Sequence, residues 1–264
     1  MTQETTFRDI QVTSSEIVVR KIDMKDLLQS LKEGYDDFVA KPSFGVFLII
    51  FYPLFALLLT LFLVGENLLY LAFPMVAGLT LLGPIVSVGL FEMSRRRESG
   101  LDPSWRMAFE FIHTASFAPI LALSIVMMLL YLAWLFVAES IYLGLFGANT
   151  PDSISAFLNE IFTTRQGVAL IIIGNAVGLL FAIAALSFSV VGFPLLLDKP
   201  ASMATAVSIS IRAVTSNTLV MATWGVIVVL LLAAGAILFL VGLAAILPIL
   251  GHATWHLYRK VVEP

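Results

Sequence analysis

The sequence predicts an all-α, polytopic transmembrane bundle of six spans, arranged as three hairpins, each preceded by an amphipathic helix lying at the membrane interface. Three observations predict it. Apolar residues make up 59% of the 264 and charged residues only 12%, with a mean hydropathy of +0.99, whereas soluble domains carry about a quarter charged residues. Uncharged apolar runs of about 20 residues, enough to cross roughly 30 Å of hydrocarbon, recur along the chain. Of the 15 Lys and Arg residues, Arg165 alone falls on one side of the predicted topology. The rest gather in the N-terminal region, two inner connections and the C-terminus, which puts both termini in the cytoplasm by the positive-inside rule.

Residues 1–22 are mostly polar and lack helical periodicity, so a flexible cytoplasmic tail is expected there, followed by a single transmembrane domain over 23–264. The start is polar and acidic and offers no basic-then-apolar signal peptide. Asp23 can cap a helix in which Leu27, Leu31, Tyr35 and Phe38 form one stripe while Lys25, Lys32, Glu33 and Asp36 take the other side. Lys41-Pro42 ends it. The first span is expected at 44–64 and a turn at Glu66-Asn67.

The second span, Leu68–Met93, contains Gly78, Gly83, Pro84 and Gly89 and should kink or pack closely. Arg95–Arg97 stop it. Asp102-Pro103 then opens a second amphipathic segment, with Trp105, Phe109 and Ile112 opposite Arg106, Glu110 and His113. The third span is Phe117–Ala138. The external connection from Glu139 to Arg165 follows, and Pro151–Phe162 suits a short surface helix.

Val168–Leu197 exceeds one perpendicular crossing, so tilt, extension or a break at Gly192-Phe193-Pro194 is expected. Ser202 begins a third surface segment, with Met203, Val207, Ile211 and Val214 on one stripe and Thr205, Ser208, Arg212 and Thr215 on the other. From Thr218 no charge appears before Arg259. A single helix of that length would measure about 65 Å, twice the hydrocarbon thickness, so the chain must reverse, by geometry between Gly235 and Gly242. The recurrence of surface helix plus hairpin gives an internal threefold repeat, approximately 23–97, 102–199 and 201–260, with Pro84, Pro194 and Pro248 in the return helices.

The absence of cysteine excludes disulfides, thiolate metal sites and cysteine nucleophiles. Nothing in the charge pattern suggests nucleic acid. The chemistry-bearing stretch is Pro248–Lys260, P-I-L-G-H-A-T-W-H-L-Y-R-K, where His252 and His256 lie one turn apart on one face and His252 sits roughly 10 Å inside the interface. Aligning the three prolines brings Glu92, Asp198, His252 and His256 to the same end of the return helices. Two imidazoles and two carboxylates suit a divalent transition metal, and haem is a further option. The motif lacks the glutamate of H-E-x-x-H proteases. The plainer reading of the four is ion pairs and hydrogen bonds that satisfy buried polar ends. Gly174, Gly178 and Ala182 form a small-residue stripe, with Asn175 beside it, suited to helix packing.

The stretch Pro248–Val261, with Leu31–Phe38 (L-K-E-G-Y-D-D-F), Phe193–Asp198 (F-P-L-L-L-D) and Trp224-Gly225, resembles a bacterial family of uncharacterised integral membrane proteins, some of whose members carry a cytochrome c oxidase subunit label. Tyr35 stands where tryptophan is expected. The resemblance implies the bacterial inner membrane and a loose association with a respiratory oxidase, and supplies no reaction, ligand or catalytic residue. Three readings stand beside one another: a non-enzymatic accessory or assembly factor, a small-solute transporter or channel, and a metal- or haem-dependent enzyme.

Overall fold

The computed structural model describes residues 14, 16–42, 69–147, 154–237 and 241–263. The expected first span at 44–64, its turn at Glu66-Asn67 and most of the N-terminal tail lie outside them. Every long element is a helix: α1 (Met24–Ala40), α2 (Ala72–Leu79), α3 (Gly83–Val86), α4 (Val88–Glu98), α5 (Trp105–Ala108), α6 (Phe117–Phe146), α7 (Ile154–Thr163), α8 (Arg165–Ser189), α9 (Gly192–Asp198), α10 (Met203–Ser216), α11 (Thr218–Ile237) and α12 (Val241–Val261). Among the described residues four stretches are long and apolar enough to cross a membrane: Ala72–Glu98, Phe117–Phe146, Arg165–Asp198 and Thr218–Ile237.

Local chemistry explains the interruptions. Pro84 and Pro194 lack the N–H that would close a helical bond to the residue four back. Before the first, Thr80–Leu82 tightens into a 3-10 turn between α2 and α3. Before the second, α8 ends at Ser189 and α9 begins at Gly192. The freed Val191 N–H is taken up by the Ser210 hydroxyl at 3.2 Å. Pro248, by contrast, sits inside an unbroken α12. The C-terminus of α4 closes with Leu101 N–H bonded to the Arg96 carbonyl and Gly100 N–H to that of Arg97. That pairing needs the left-handed φ of +70° that Gly100 adopts.

The described residues group into two units, one drawn from 1–48, 83–124 and 186–264, the other from 49–82 and 125–185. In the second unit Trp134 is the organising side chain. Its indole N–H donates to the Pro74 carbonyl at 2.8 Å. A Cβ at Gly78 would come within 2.7 Å of the Tyr131 and Trp134 rings, and one at Gly178 within 3.1 Å of Trp134, so both positions are kept small to admit the indole. Gly174 on the same expected stripe faces open space. Tyr70 stacks on Tyr142 with ring centroids 4.2 Å apart and donates to Glu139 at 3.2 Å.

In the first unit α1 lies along α12, which also contacts α4 and α11. Asp23 caps α1, accepting from Lys25 and Asp26 N–H groups while Asp26 reaches back to the Asp23 N–H. A Cβ at Gly34 would stand 2.5 Å from the Ala253 backbone nitrogen, so only glycine lets the two helices approach this closely. Toward the other end of α12, Gly235 of α11 lies against Leu243 and Ile246.

The face of α1 buried in protein is Leu27, Ser30, Gly34 and Asp37, while Leu28, Tyr35 and Val39 are exposed. The face of α10 buried in protein is Ala206, Ile209, Ser210 and Ala213, while Ile211 is exposed. Two expectations need correction. Between Trp105 and His113 there is one α-turn, beginning after Ser104, followed by a 3-10 turn, in place of a regular amphipathic helix. Finally, residues 16–22 are tied down. Ile17 is buried, Arg20 N–H donates to the Val261 carbonyl at 2.7 Å and Glu263 N–H to that of Val18 at 3.2 Å. Asn217 clasps the strap from below the C-terminus of α10, accepting from Ile22 N–H at 2.9 Å and donating to the Arg20 carbonyl at 3.0 Å.

Candidate functional site

Where α1, α4 and α12 meet, a buried polar network centres on Asp37, which is 6% exposed. Helical spacing places it: Asp37 falls three residues after Gly34, on the face that the glycine brings against α12. Its Oδ2 accepts the Ser94 hydroxyl proton at 2.5 Å and lies 2.9 Å from His256 Nε2; its Oδ1 accepts from the Arg97 guanidinium. Ser94 Oγ is in turn 2.8 Å from His252 Nδ1. One turn before Asp37, Glu33 holds Lys260 at 3.0 Å and stands 3.6 Å from His256 Nδ1.

Proton counting assigns the tautomers. Carboxylate oxygens only accept, so His256 carries its proton on Nε2 and donates it to Asp37. The single Ser94 proton also goes to Asp37, so its oxygen must accept from His252 Nδ1–H. His252 Nε2 is buried and has no partner within hydrogen-bond geometry among the described residues. Burial pushes the Asp37 carboxyl up, but the hydrogen bonds from His256 and Ser94 and the nearby imidazoles outweigh it and hold the pKa down at about 2.

Serine, histidine and aspartate in one cluster invite comparison with a hydrolytic triad, and the wiring excludes it. In a triad the histidine takes the serine proton and the acid orients the histidine. Here the serine gives its proton to the acid and receives one from the histidine, so no base activates the hydroxyl. The cavity beside them, lined by Asp37, Lys41, Met93, Arg97, Pro103 and His252, is about 10 Å³, room for one water and no substrate.

The four residues expected to share a metal are placed as follows. His252 and His256 both join the Asp37 network. Glu92, buried, accepts two bonds from Arg95 at 2.8 and 2.9 Å and lies 3.6 Å from Arg96. Asp198 accepts the Tyr258 hydroxyl at 2.6 Å and stands 3.6 Å from Arg259. Among the described residues no group of three or more such side chains is placed to hold a metal ion. Each acid is instead engaged by its own cation or hydroxyl. Asp37, Ser94, Arg97 and Glu33 complete the network and were not singled out from the sequence. Removing the Tyr258 hydroxyl (Tyr258→Phe) should cost about 2 kcal/mol, because it strips a charge-assisted bond from a half-buried carboxylate; a detergent thermal melt reads it.

Residues 72–198 match the model of a family described as predicted integral membrane protein (DUF2189). This is an uncharacterised membrane-protein family. The DUF2189 match covers three of the four long apolar stretches, Ala72–Glu98, Phe117–Phe146 and Arg165–Asp198. Of the segments that carry the resemblance, only Phe193–Asp198 lies inside it. Within the network, Ser94 and Arg97 belong to the DUF2189 region, whereas Asp37, His252 and His256 come from flanking sequence. No curated protein and no solved structure matches the chain.

Proposed function

We propose that this chain is a non-enzymatic accessory or assembly component of the bacterial inner membrane, with six spans and both termini cytoplasmic, that acts by binding other membrane proteins. The observation that carries the reading is the closure of the polar network: its acids and cations engage one another around space for a single water. Such a cluster fastens helices together and leaves no room for a reactant. The long apolar helices support a docking role, since along Arg165–Asp198 Val168, Ile172, Leu179, Leu180 and Ile183 are exposed. A respiratory oxidase is the partner class the resemblance suggests. Little favours a transporter: Asn175, in the middle of α8, is exposed and donates to its own helix at the Ile171 carbonyl, 2.7 Å away.

Affinity purification of the tagged protein from its native membranes in mild detergent tests the reading. Stoichiometric recovery of another integral membrane protein is expected. Recovery alone, together with unchanged respiratory oxidase content on deletion, would overturn it.

A further inference from the structure

A second cavity, of about 230 Å³, opens in the same unit between the C-terminus of α4 and the segment entering α6. On the scale by which the Asp37 cavity admits one water, this one holds a polar group of many atoms, such as a headgroup. Its polar lining is Glu92, Arg95, Arg96, Glu110, Thr114 and Ser116, and Phe111 and Leu197 supply an apolar side.

The valences left over define what fits. Arg95 commits Nε and Nη2 to Glu92. Arg96 commits Nε to the Asp102 carbonyl at 2.9 Å and Nη1 to Glu110 at 3.0 Å. Among the described residues this leaves Arg95 Nη1 and Arg96 Nη2 without acceptors, two guanidinium edges able to take phosphate oxygens. Glu92 is saturated and buried, but Glu110 uses only Oε2 and its side chain is 53% exposed, so Oε1 can accept from a cation. Two cations and two carboxylates line the cavity, for no net charge. A plain anion would meet the free oxygen of Glu110, and a plain cation would meet the guanidiniums. A ligand carrying both signs satisfies both edges.

We propose that this cavity binds a phosphodiester joined to a primary amine, the phosphoethanolamine zwitterion, with phosphate on Arg95 and Arg96 and ammonium on Glu110. The inference rests on the membrane placement above and not on the accessory role. Two sources share this chemistry, the headgroup of an aminophospholipid and a free glycerophosphoethanolamine. Choline presents no N–H to Glu110 and glycerol presents no cation, so phosphatidylcholine and phosphatidylglycerol are the discriminating controls.

The test is native mass spectrometry of the purified, delipidated full chain in detergent, titrated separately with phosphatidylethanolamine, phosphatidylcholine, phosphatidylglycerol, glycerophosphoethanolamine and inorganic phosphate. Phosphatidylethanolamine should be retained about tenfold over phosphatidylcholine and phosphatidylglycerol. Glu110→Gln, an exposed position whose substitution leaves the buried Glu92 clamp intact, should bring ethanolamine down to the choline level without weakening phosphatidylglycerol. Retention of glycerophosphoethanolamine at equal strength would assign the soluble zwitterion as the source, and its failure would assign the lipid. Equal retention of all three lipids, preference for phosphatidylglycerol or inorganic phosphate, or an ethanolamine preference untouched in Glu110→Gln would overturn the proposal. None of these readouts depends on whether a partner protein co-purifies.

Discussion

Gly34→Val should release α1 from α12. The missing side chain is what allows contact: a Cβ there would meet the Ala253 nitrogen at 2.5 Å and its Cα and Cβ at 2.7 Å. Two of the three obstructing atoms are backbone, in the middle of a helix, and cannot swing aside as a long side chain would. Overpacking a core costs about 1–3 kcal/mol when neighbours can adjust, and a rigid neighbour puts this case at or above the upper end. A branched residue adds two methyl groups to the clash. Separation of the helices would also unmake the Asp37 bonds to Ser94 and His256 and the Glu33–Lys260 pair. Tryptic cleavage in detergent checks it: Lys25 and Lys32 sit within α1 and should become fast sites in the variant while the parent resists. Gly174→Ala is the control, because a Cβ at Gly174 meets nothing within 4 Å and alanine is the better helix former. Equal cleavage of the valine variant and the parent would refute the account.

The class of fold was legible because hydropathy and run length measure the solvent directly, and a chain with these apolar stretches has no aqueous alternative. The protein-facing sides of the two surface helices were not legible. The large apolar stripes, Leu27, Leu31, Tyr35 and Phe38 of α1 and Met203, Val207, Ile211 and Val214 of α10, were expected to lie on the membrane, and nothing in the pattern marked the small and polar residues beside them. The structure buries Ser30, Gly34 and Asp37 in one and Ala206, Ser210 and Ala213 in the other. Where lipid is as apolar as leucine, burying a large side chain in protein gains little, while small residues allow close approach and polar ones find partners. The large side chains are then free to face outward.

The candidate site was half legible for a related reason. His252 and His256 stood out because ionisable rings near a helix end in an apolar segment are costly alone. Their partners did not, since Ser94 lies 158 positions from His252 and Asp37 lies 219 from His256, and no periodicity encodes pairing across such distances. Glu92 and Asp198 were flagged by position relative to proline, which fixes a height along a helix but not the direction a side chain takes around it. The arginines one turn on captured Glu92 instead.

Asp37→Asn should destabilise the chain by about 3 kcal/mol at neutral pH and remove part of its acid sensitivity. At neutral pH the substitution strips the negative charge from a site facing Arg97 and His256, and breaking a buried pair by deleting one partner costs about 3–5 kcal/mol. The lower end applies here because the Arg97 side chain is 41% exposed and can recover water. The amide keeps only one acceptor oxygen: set toward Ser94 and His256 it turns its NH2 against the Arg97 guanidinium, and set toward Arg97 it faces two donors with its own, so at least one of the three contacts to this carboxylate is given up. The acid branch follows from linkage. The Asp37 pKa is lowered in the folded protein to about 2 from an ordinary 3.8. A carboxyl depressed in this way contributes stability that is fully present above the unfolded pKa and disappears as pH falls through the folded one. The window is therefore pH 4 down to pH 2, and a shift of nearly two units corresponds to roughly 2 kcal/mol. Detergent melts of the parent taken at half-unit steps across that window should fall more steeply than those of Asp37→Asn, whose side chain does not titrate. Parallel curves would mean that Asp37 carries no charge-dependent contact, and the network would then owe its stability to packing around Gly34 alone.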